Sequence, residues 1–331
     1  MASSKLLRKM IQFGTSGDKD SFKQVAEEII NEERAKKHHL LANDLERILY
    51  GKEPEKNSFQ ILNLEIPNDK EKGLPLIHII TPTRSIDEII LSDENKSIME
   101  EILLEHNRGE ILKLHGLKPV DKILFYGPPG CGKTISAEVI AFELELPLAI
   151  IRIDSIVSSY LGETSANLRK VFDFINKTNM VVLFDEFDAL GRERADNSEH
   201  GEIKRVVNAL LQMLDSYRGN SILIAATNHE KTLDSAVWRR FEEVLNFSYP
   251  NKEQIKKLIE LKLRGVRRNL RTDINELSQK FKGLSHADIE RILRRAIKEM
   301  IMQGKEFLED RYIETSYLRE ESRQNILREN K

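Results

Sequence analysis

Gly127-Pro128-Pro129-Gly130-Cys131-Gly132-Lys133-Thr134 fits the phosphate-binding pattern G-x-x-x-x-G-K-[ST] at every fixed position. The run follows apolar Ile123-Leu124-Phe125-Tyr126 and opens a helical stretch, Ser136-Ala137-Glu138-Val139-Ile140-Ala141-Phe142. That order is the strand–loop–helix setting the pattern needs. Backbone N–H groups of such a loop wrap phosphate oxygens, with the positive end of the following helix behind them. Lys133 is placed to reach the β- and γ-phosphates, and the Thr134 hydroxyl to ligate Mg²⁺. The residues expected to hold nucleotide are Gly127 to Thr134 together with Ile135. A chance match to the bare pattern is on the order of one per cent at average residue frequencies. The chain is therefore expected to bind a nucleoside triphosphate.

Met180-Val181-Val182-Leu183-Phe184 is a continuous apolar run, as in a strand buried on both faces. It ends in Asp185-Glu186. Asp185 is the expected second ligand of the Mg²⁺ shell, and Glu186 the residue that orients the attacking water, which makes the chain a hydrolase. A third apolar run, Ile222 to Ala226, ends in Thr227-Asn228. Asn228 is a candidate to sense the γ-phosphate, against the alternative of an ordinary turn residue. No Asn-Lys-x-Asp guanine-reading motif is present, which disfavours GTP.

Together these segments resemble the AAA family of ATPases over residues 88 to 315. The resemblance implies an α/β fold, a P-loop NTPase parallel sheet (the AAA core) with a C-terminal helical lid, to which helical periodicity adds an N-terminal helical bundle. It implies ATP and Mg²⁺ as cofactors. Leu233 to Glu242 is similar to the family's second region of homology, whose arginines, here Arg239 and Arg240, enter the neighbouring subunit's active site. A planar guanidinium suits charge spread over a transferring phosphoryl group. This chain has Trp238-Arg239-Arg240-Phe241 where many relatives have Arg-Pro-Gly-Arg-Phe, so which arginine dominates stays open. Fingers acting in trans imply a homo-oligomeric ring, a hexamer by resemblance. Gly283-Leu284-Ser285-His286-Ala287-Asp288-Ile289 resembles the lid motif that closes over the nucleotide, with Asp288 as its expected contact.

Ser158-Ser159-Tyr160-Leu161-Gly162-Glu163-Thr164 resembles the family's first pore loop. Tyr160 and Leu161 are expected to grip a threaded polypeptide, since an amphipathic ring presses on any extended backbone. The alternative is a Tyr packed on its own domain. Residues 199–204 are expected to form a second pore loop. The substrate class implied is protein rather than nucleic acid. A formal charge of −2 over 331 residues agrees, because no global basic field recruits polyanions. No apolar run approaches the ~18 residues that span a bilayer, and the N-terminus lacks a signal-peptide pattern. One cysteine, Cys131, forms no internal disulfide. The expected location is cytoplasmic. Cys131 itself is either a small tolerated side chain or a thiol-sensitive point, the first reading being favoured.

Helical periodicity divides the rest. Residues 1–50 are expected to form a three-helix substrate- or partner-recognition bundle, broken at Gly14 and Gly17, with bracing of the ring as the alternative. Residues 51–85 carry Pro54, Pro67, Gly73, Pro75 and Pro82 and are expected to be an irregular linker. Residues 86–250 are expected to be the nucleotide-binding core, 251–316 the helical lid and 317–331 a polar tail, either a helix end or frayed.

The whole pattern resembles a group of small bacterial AAA ATPases encoded beside subtilisin-like serine proteases, acting against phages or incompatible plasmids. The chain has no Ser/His/Asp or His-Glu-x-x-His protease constellation, so proteolysis falls to a partner. Two further readings stand beside it: a disassembly or severing ATPase working alone, and an ATP-gated binding switch without translocation.

Overall fold

The computed structural model describes residues 4–16, 19–35, 65–69, 73–153, 161–188, 200–230, 233 and 235–329. The chain divides into two compact units, Met1–Glu65 and Ile66–Lys331.

In the first unit, α1 (Ser4–Ser16) and α2 (Lys19–Ala35) are amphipathic helices. Val25, Ala26, Ile29 and Ile30 are buried, the i, i+1, i+4, i+5 stripe that the 3.6-residue period predicts. Gly14 does not break α1. It sits in the last turn, where a Cβ would lie 3.5 Å from the Phe22 ring, so the missing side chain admits that ring. The third helix expected from Leu41, Leu45, Ile48 and Leu49 lies outside the described residues.

The second unit is built on a six-stranded sheet in the order β1-β3-β4-β5-β2-β6. The strands are β1 (His78–Ile80), β2 (Lys122–Tyr126), β3 (Leu148–Arg152), β4 (Val181–Asp185), β5 (Ile222–Thr227) and β6 (Glu243–Asn246). All pairings are parallel except β1 with β3. The antiparallel edge strand β1 comes from within residues 51–85, so that stretch is not linker throughout. Side chains alternate between the two faces of each strand. Leu124, Val182, Phe184 and Leu223 pack with α6 (Leu161–Ile175) and α7 (His200–Ser216) on one face. Ile123, Phe125, Leu183 and Ile224 pack with α3 (Asp93–Asn107) and α5 (Lys133–Glu143) on the other. The short α4 (Gly109–Leu114) links α3 to β2. Both faces being covered explains why the strands read as unbroken apolar runs.

Residues 200–204, expected as a second pore loop, are the first turns of α7. The short α8 (Ser235–Trp238) precedes β6. Four helices follow: α9 (Lys252–Lys262), α10 (Ile274–Lys280), α11 (His286–Met302) and α12 (Asp310–Glu329). Ile255, Ile259, Phe281, Ile289, Leu293 and Tyr312 form their common core. α12 runs through the stretch expected as a polar tail. Tyr317 stacks on Phe281, and Glu320 is 1% exposed. The tail is polar in composition, yet one stripe of it is lid. No described helix is long and apolar enough to cross a membrane.

Candidate nucleotide site

The phosphate loop leaves β2 at Tyr126 and turns on glycines with positive φ, Gly127 (132°), Gly130 (76°) and Gly132 (104°). At Gly127 a Cβ would meet the Phe247 carbonyl oxygen at 2.2 Å, so only glycine lets the loop run beside the end of β6. α5 begins at Lys133 with Gly132 as its N-cap and no side-chain cap. The first-turn amides are thereby left for a ligand, which is the arrangement that binds phosphate. The Lys133 ammonium donates to the carbonyls of Gly127 (2.6 Å) and Pro128 (3.0 Å), folded back over the loop. Burial pushes its pKa down, and the neighbouring Asp185 and Asp188 act against that. Cys131 is buried, and burial pushes its thiol up to about 11. It is a neutral wall of the loop, which favours the small tolerated side chain over the thiol-sensitive point.

At the end of β4, the Thr134 hydroxyl donates to Asp185 at 3.4 Å. A hydroxyl and a carboxylate brought together at a phosphate loop fit Mg²⁺, which takes one or two protein oxygens and completes its shell with phosphate and water. The other Asp185 oxygen accepts from the Glu186 amide at 2.9 Å. Glu186 has φ +54°, an uncommon conformation for a residue with a side chain. The turn that holds it there is anchored by the Phe187 amide on the Ala226 carbonyl (2.9 Å). The Glu186 carboxylate is exposed and lies 3.8 Å from Arg152, the last residue of β3.

Asp188 was given no role by the sequence, yet it organises the end of β5. It is buried and accepts from the Thr227 hydroxyl (3.2 Å) and the Asn228 amide (3.3 Å). Asn228 is half-buried beside the Asp185-Glu186 turn through this link. The signal was present in the spacing Asp185-Glu186-Phe187-Asp188, whose second aspartate falls where the adjacent strand ends.

Arg239 and Arg240 differ. Arg240 bonds to Asp215 through Nε (3.1 Å) and Nη2 (3.0 Å) and to the Ala236 carbonyl. Arg239 is exposed, and its guanidinium has no partner among the described residues. Neither makes a hydrogen bond to the loop, Asp185 or Glu186 of its own chain among those residues.

The lid meets the loop at its own tight turn. The Ala287 amide donates to the Gly130 carbonyl (3.0 Å), and a Cβ on Gly130 would lie 2.7 Å from the Ser285 hydroxyl. Asp288 does not point its carboxylate at this junction without partners. It accepts from the Ser285 amide and hydroxyl as a capping box, and from Arg291 (2.9 Å) and Gln324 (3.1 Å). Hydrogen bonds inside the lid therefore occupy the residue expected to contact nucleotide. His286, quoted in the motif without a role, takes the more telling place. Both its ring nitrogens are buried and unpartnered among the described residues, and burial pushes its pKa down to about 4. With Cys131, Ile90 and Leu91 it lines two clefts beside the loop, one of which also contains Ile135 and Leu258. Tyr160 lies outside the described residues; Leu161 opens α6.

The model of the ATPase family associated with various cellular activities (AAA) matches residues 123–249. An uncharacterized AAA family ATPase of Sinorhizobium fredii is 40% identical over 312 residues, covering 94% of this chain and 93% of the relative. A putative 26S proteasome regulatory subunit homolog of Methanocaldococcus jannaschii is 34% identical over 200 residues, 59% of this chain and 54% of its own. The proteasome-activating nucleotidase of Thermococcus onnurineus is 30% identical over 253 residues, 73% of this chain and 63% of its own. A phosphate loop, a strand-end Asp-Glu pair and a lid that touches the loop, with a relative matched over nearly its full length, identify the chain as a member of the AAA family of ATPases.

Proposed function

We propose that the chain is a Mg²⁺-dependent ATPase that works as a ring, a hexamer, and pulls on protein substrates. Thr134 and Asp185 would hold the metal, whose chemistry is to neutralise charge on the β- and γ-phosphates. Lys133 leaves the loop carbonyls for the phosphates, Glu186 orients water, and Asn228 reads the γ-phosphate. Ile90, Leu91, Ile135, Leu258 and His286 suit the flat apolar face of a base. Arg239, exposed and unengaged, is the better finger for a neighbouring subunit.

The feature that supports the threading reading is the order of the chain around the hydrolysis turn. Arg152, at the end of β3, lies 3.8 Å from Glu186, and α6 opens at Leu161, one residue after Tyr160. In sequence, the aromatic therefore falls between the strand that flanks the hydrolysis turn and the helix that follows. Relatives named for proteasome regulation and activation support a protein substrate. On the same reading the first unit would recognise the substrate or partner, and the chain would work in the cytoplasm, delivering its substrate to a subtilisin-like serine protease in defence against phages or incompatible plasmids.

Tyr160→Ala tests threading: ATP hydrolysis should persist while processing of an unfolded protein is lost. A variant that keeps both is a switch and not a threading motor. Glu186→Gln, purified from host lysate with ATP, tests the partner. Recovery of a serine protease only with ATP supports delivery to it; a ring that retains no protease removes that part of the proposal.

A further inference from the structure

The stretch expected as a polar tail contains a carboxylate that is 1% exposed, Glu320. A charge so deeply buried is retained only with partners, and losing one is costly. One of its oxygens accepts from Arg291 and from Arg323 (2.8 Å), while the other has no partner among the described residues. Arg291 uses the same Nη1 to reach Asp288 at 2.9 Å. Asp288 in turn accepts from the Ser285 amide (3.2 Å) and hydroxyl (2.7 Å), and Gln324 of α12 donates to it at 3.1 Å. Between Ser285 and Asp288 lie His286, on the clefts beside the loop, and Ala287, whose amide holds the Gly130 carbonyl.

We propose that Arg291 and Glu320 are positioning residues for nucleotide: through Asp288 they fix the first turn of α11 so that the lid stays seated on the phosphate loop. Neither residue touches the loop. Arg291 links the buried Glu320 of α12 to the capping carboxylate through its guanidinium, beside the direct bond from Gln324 of the same helix. Without Glu320 the guanidinium loses the anchor that sets its direction, Asp288 loses a fixed donor, and the turn carrying Ala287 is free to tilt away from Gly130. Arg323 reaches Glu320 from the solvent side, 47% exposed, and does not continue the chain of bonds to the loop. The device rests on the nucleotide reading of the loop and adds to it that α12, remote in sequence, tunes ATP affinity.

The test measures ATP binding by calorimetry to the full chain carrying Glu186→Gln, with amide exchange at Ala287 followed in parallel. Glu320→Gln and Arg291→Met should each weaken ATP binding roughly tenfold, the loss of about one charge-assisted bond, and speed exchange at Ala287. On the hydrolysing background, KM should rise by the same factor while kcat changes less than twofold. The double variant should be no worse than either single one, because both act through one path. Arg323→Met should leave affinity within twofold. Folded single variants with unchanged affinity, or an Arg323→Met loss equal to that of Glu320→Gln, would overturn the device. A parent chain that binds no ATP overturns the nucleotide reading and the device together; a parent that binds while the variants match it overturns the device alone. If Glu320→Gln does not fold, Arg291→Met decides the question on the same measurements.

Discussion

The amide of Ala287 donates to the carbonyl of Gly130 across 3.0 Å, joining the lid to the phosphate loop by backbone alone. This single bond ties the lid to the phosphate loop, and it forms only because Gly130 presents no side chain.

Gly130→Ala should therefore damage binding more than it damages the fold. The new Cβ would lie 2.7 Å from the Ser285 hydroxyl and 3.1 Å from the Ala287 methyl, at φ +76°. Stability should fall by about 1–2 kcal/mol from strain, and ATP affinity roughly tenfold as the lid is pushed off. Thermal melting and an ATP titration read the two effects separately; unchanged affinity in a folded variant counts against the lid contact.

Glu186 and Asp185 should separate chemistry from binding. Glu186→Gln is expected to keep ATP binding and slow hydrolysis by about 100-fold or more, the usual cost of removing a positioned base. Asp185→Asn should weaken Mg²⁺-dependent ATP binding and leave metal-free nucleotide binding nearly intact, since its partner is the Thr134 hydroxyl at 3.4 Å. Equal loss of binding in both variants would contradict the division of labour.

The two arginines should part in the same way. Arg240→Ala breaks its bonds to Asp215 and the Ala236 carbonyl and should cost about 1 kcal/mol of stability. Arg239→Ala removes no side-chain hydrogen bond or ion pair to the described residues and should leave stability within ~0.5 kcal/mol. Its cost should appear as an ATPase rate lowered about 1000-fold in the assembled state, restored in part by mixing with Glu186→Gln subunits that retain the finger. Stability loss at Arg239 and none at Arg240 would reverse the assignment.

His286 sets a pH dependence whose sign follows from its low pKa. The folded state holds it near 4 and the unfolded chain near 6.5, so between those values the unfolded chain binds more protons. Stability should be unaffected by His286 above pH 6.5 and fall as pH drops toward 4, by at most about 3 kcal/mol. Denaturant midpoints of the wild type and His286→Leu, measured from pH 4 to 8, give that slope as the difference between two curves. Parallel curves would mean that the imidazole is not neutral and buried in the native state.

Much of the architecture was legible because strong local signals coincide. The phosphate loop sits between a strand and a helix, and β4 and β5 are buried on both faces and so read as apolar runs. The boundaries of β2, β4 and β5 moved by one residue at most. The short edge strands β1 and β6 were missed, since three or four residues carry too little alternation to separate from a loop. The length of α12 was missed because its buried stripe is narrow and includes a charge, Glu320, that no hydropathy pattern marks as interior.

The sequence by itself determined the chemistry: glycines where φ must be positive, a lysine and a threonine at one loop, and an Asp-Glu pair ending a strand. These are local requirements, met by residues adjacent in the chain. Tertiary structure decided how the lid is held. It placed Asp288 in a cap, put His286 against the loop, gave Arg240 to Asp215 and left Arg239 exposed. Those outcomes depend on which groups from distant segments arrive within hydrogen-bond reach, and a bond between residues 29 apart such as Arg291 to Glu320 leaves no trace in local pattern.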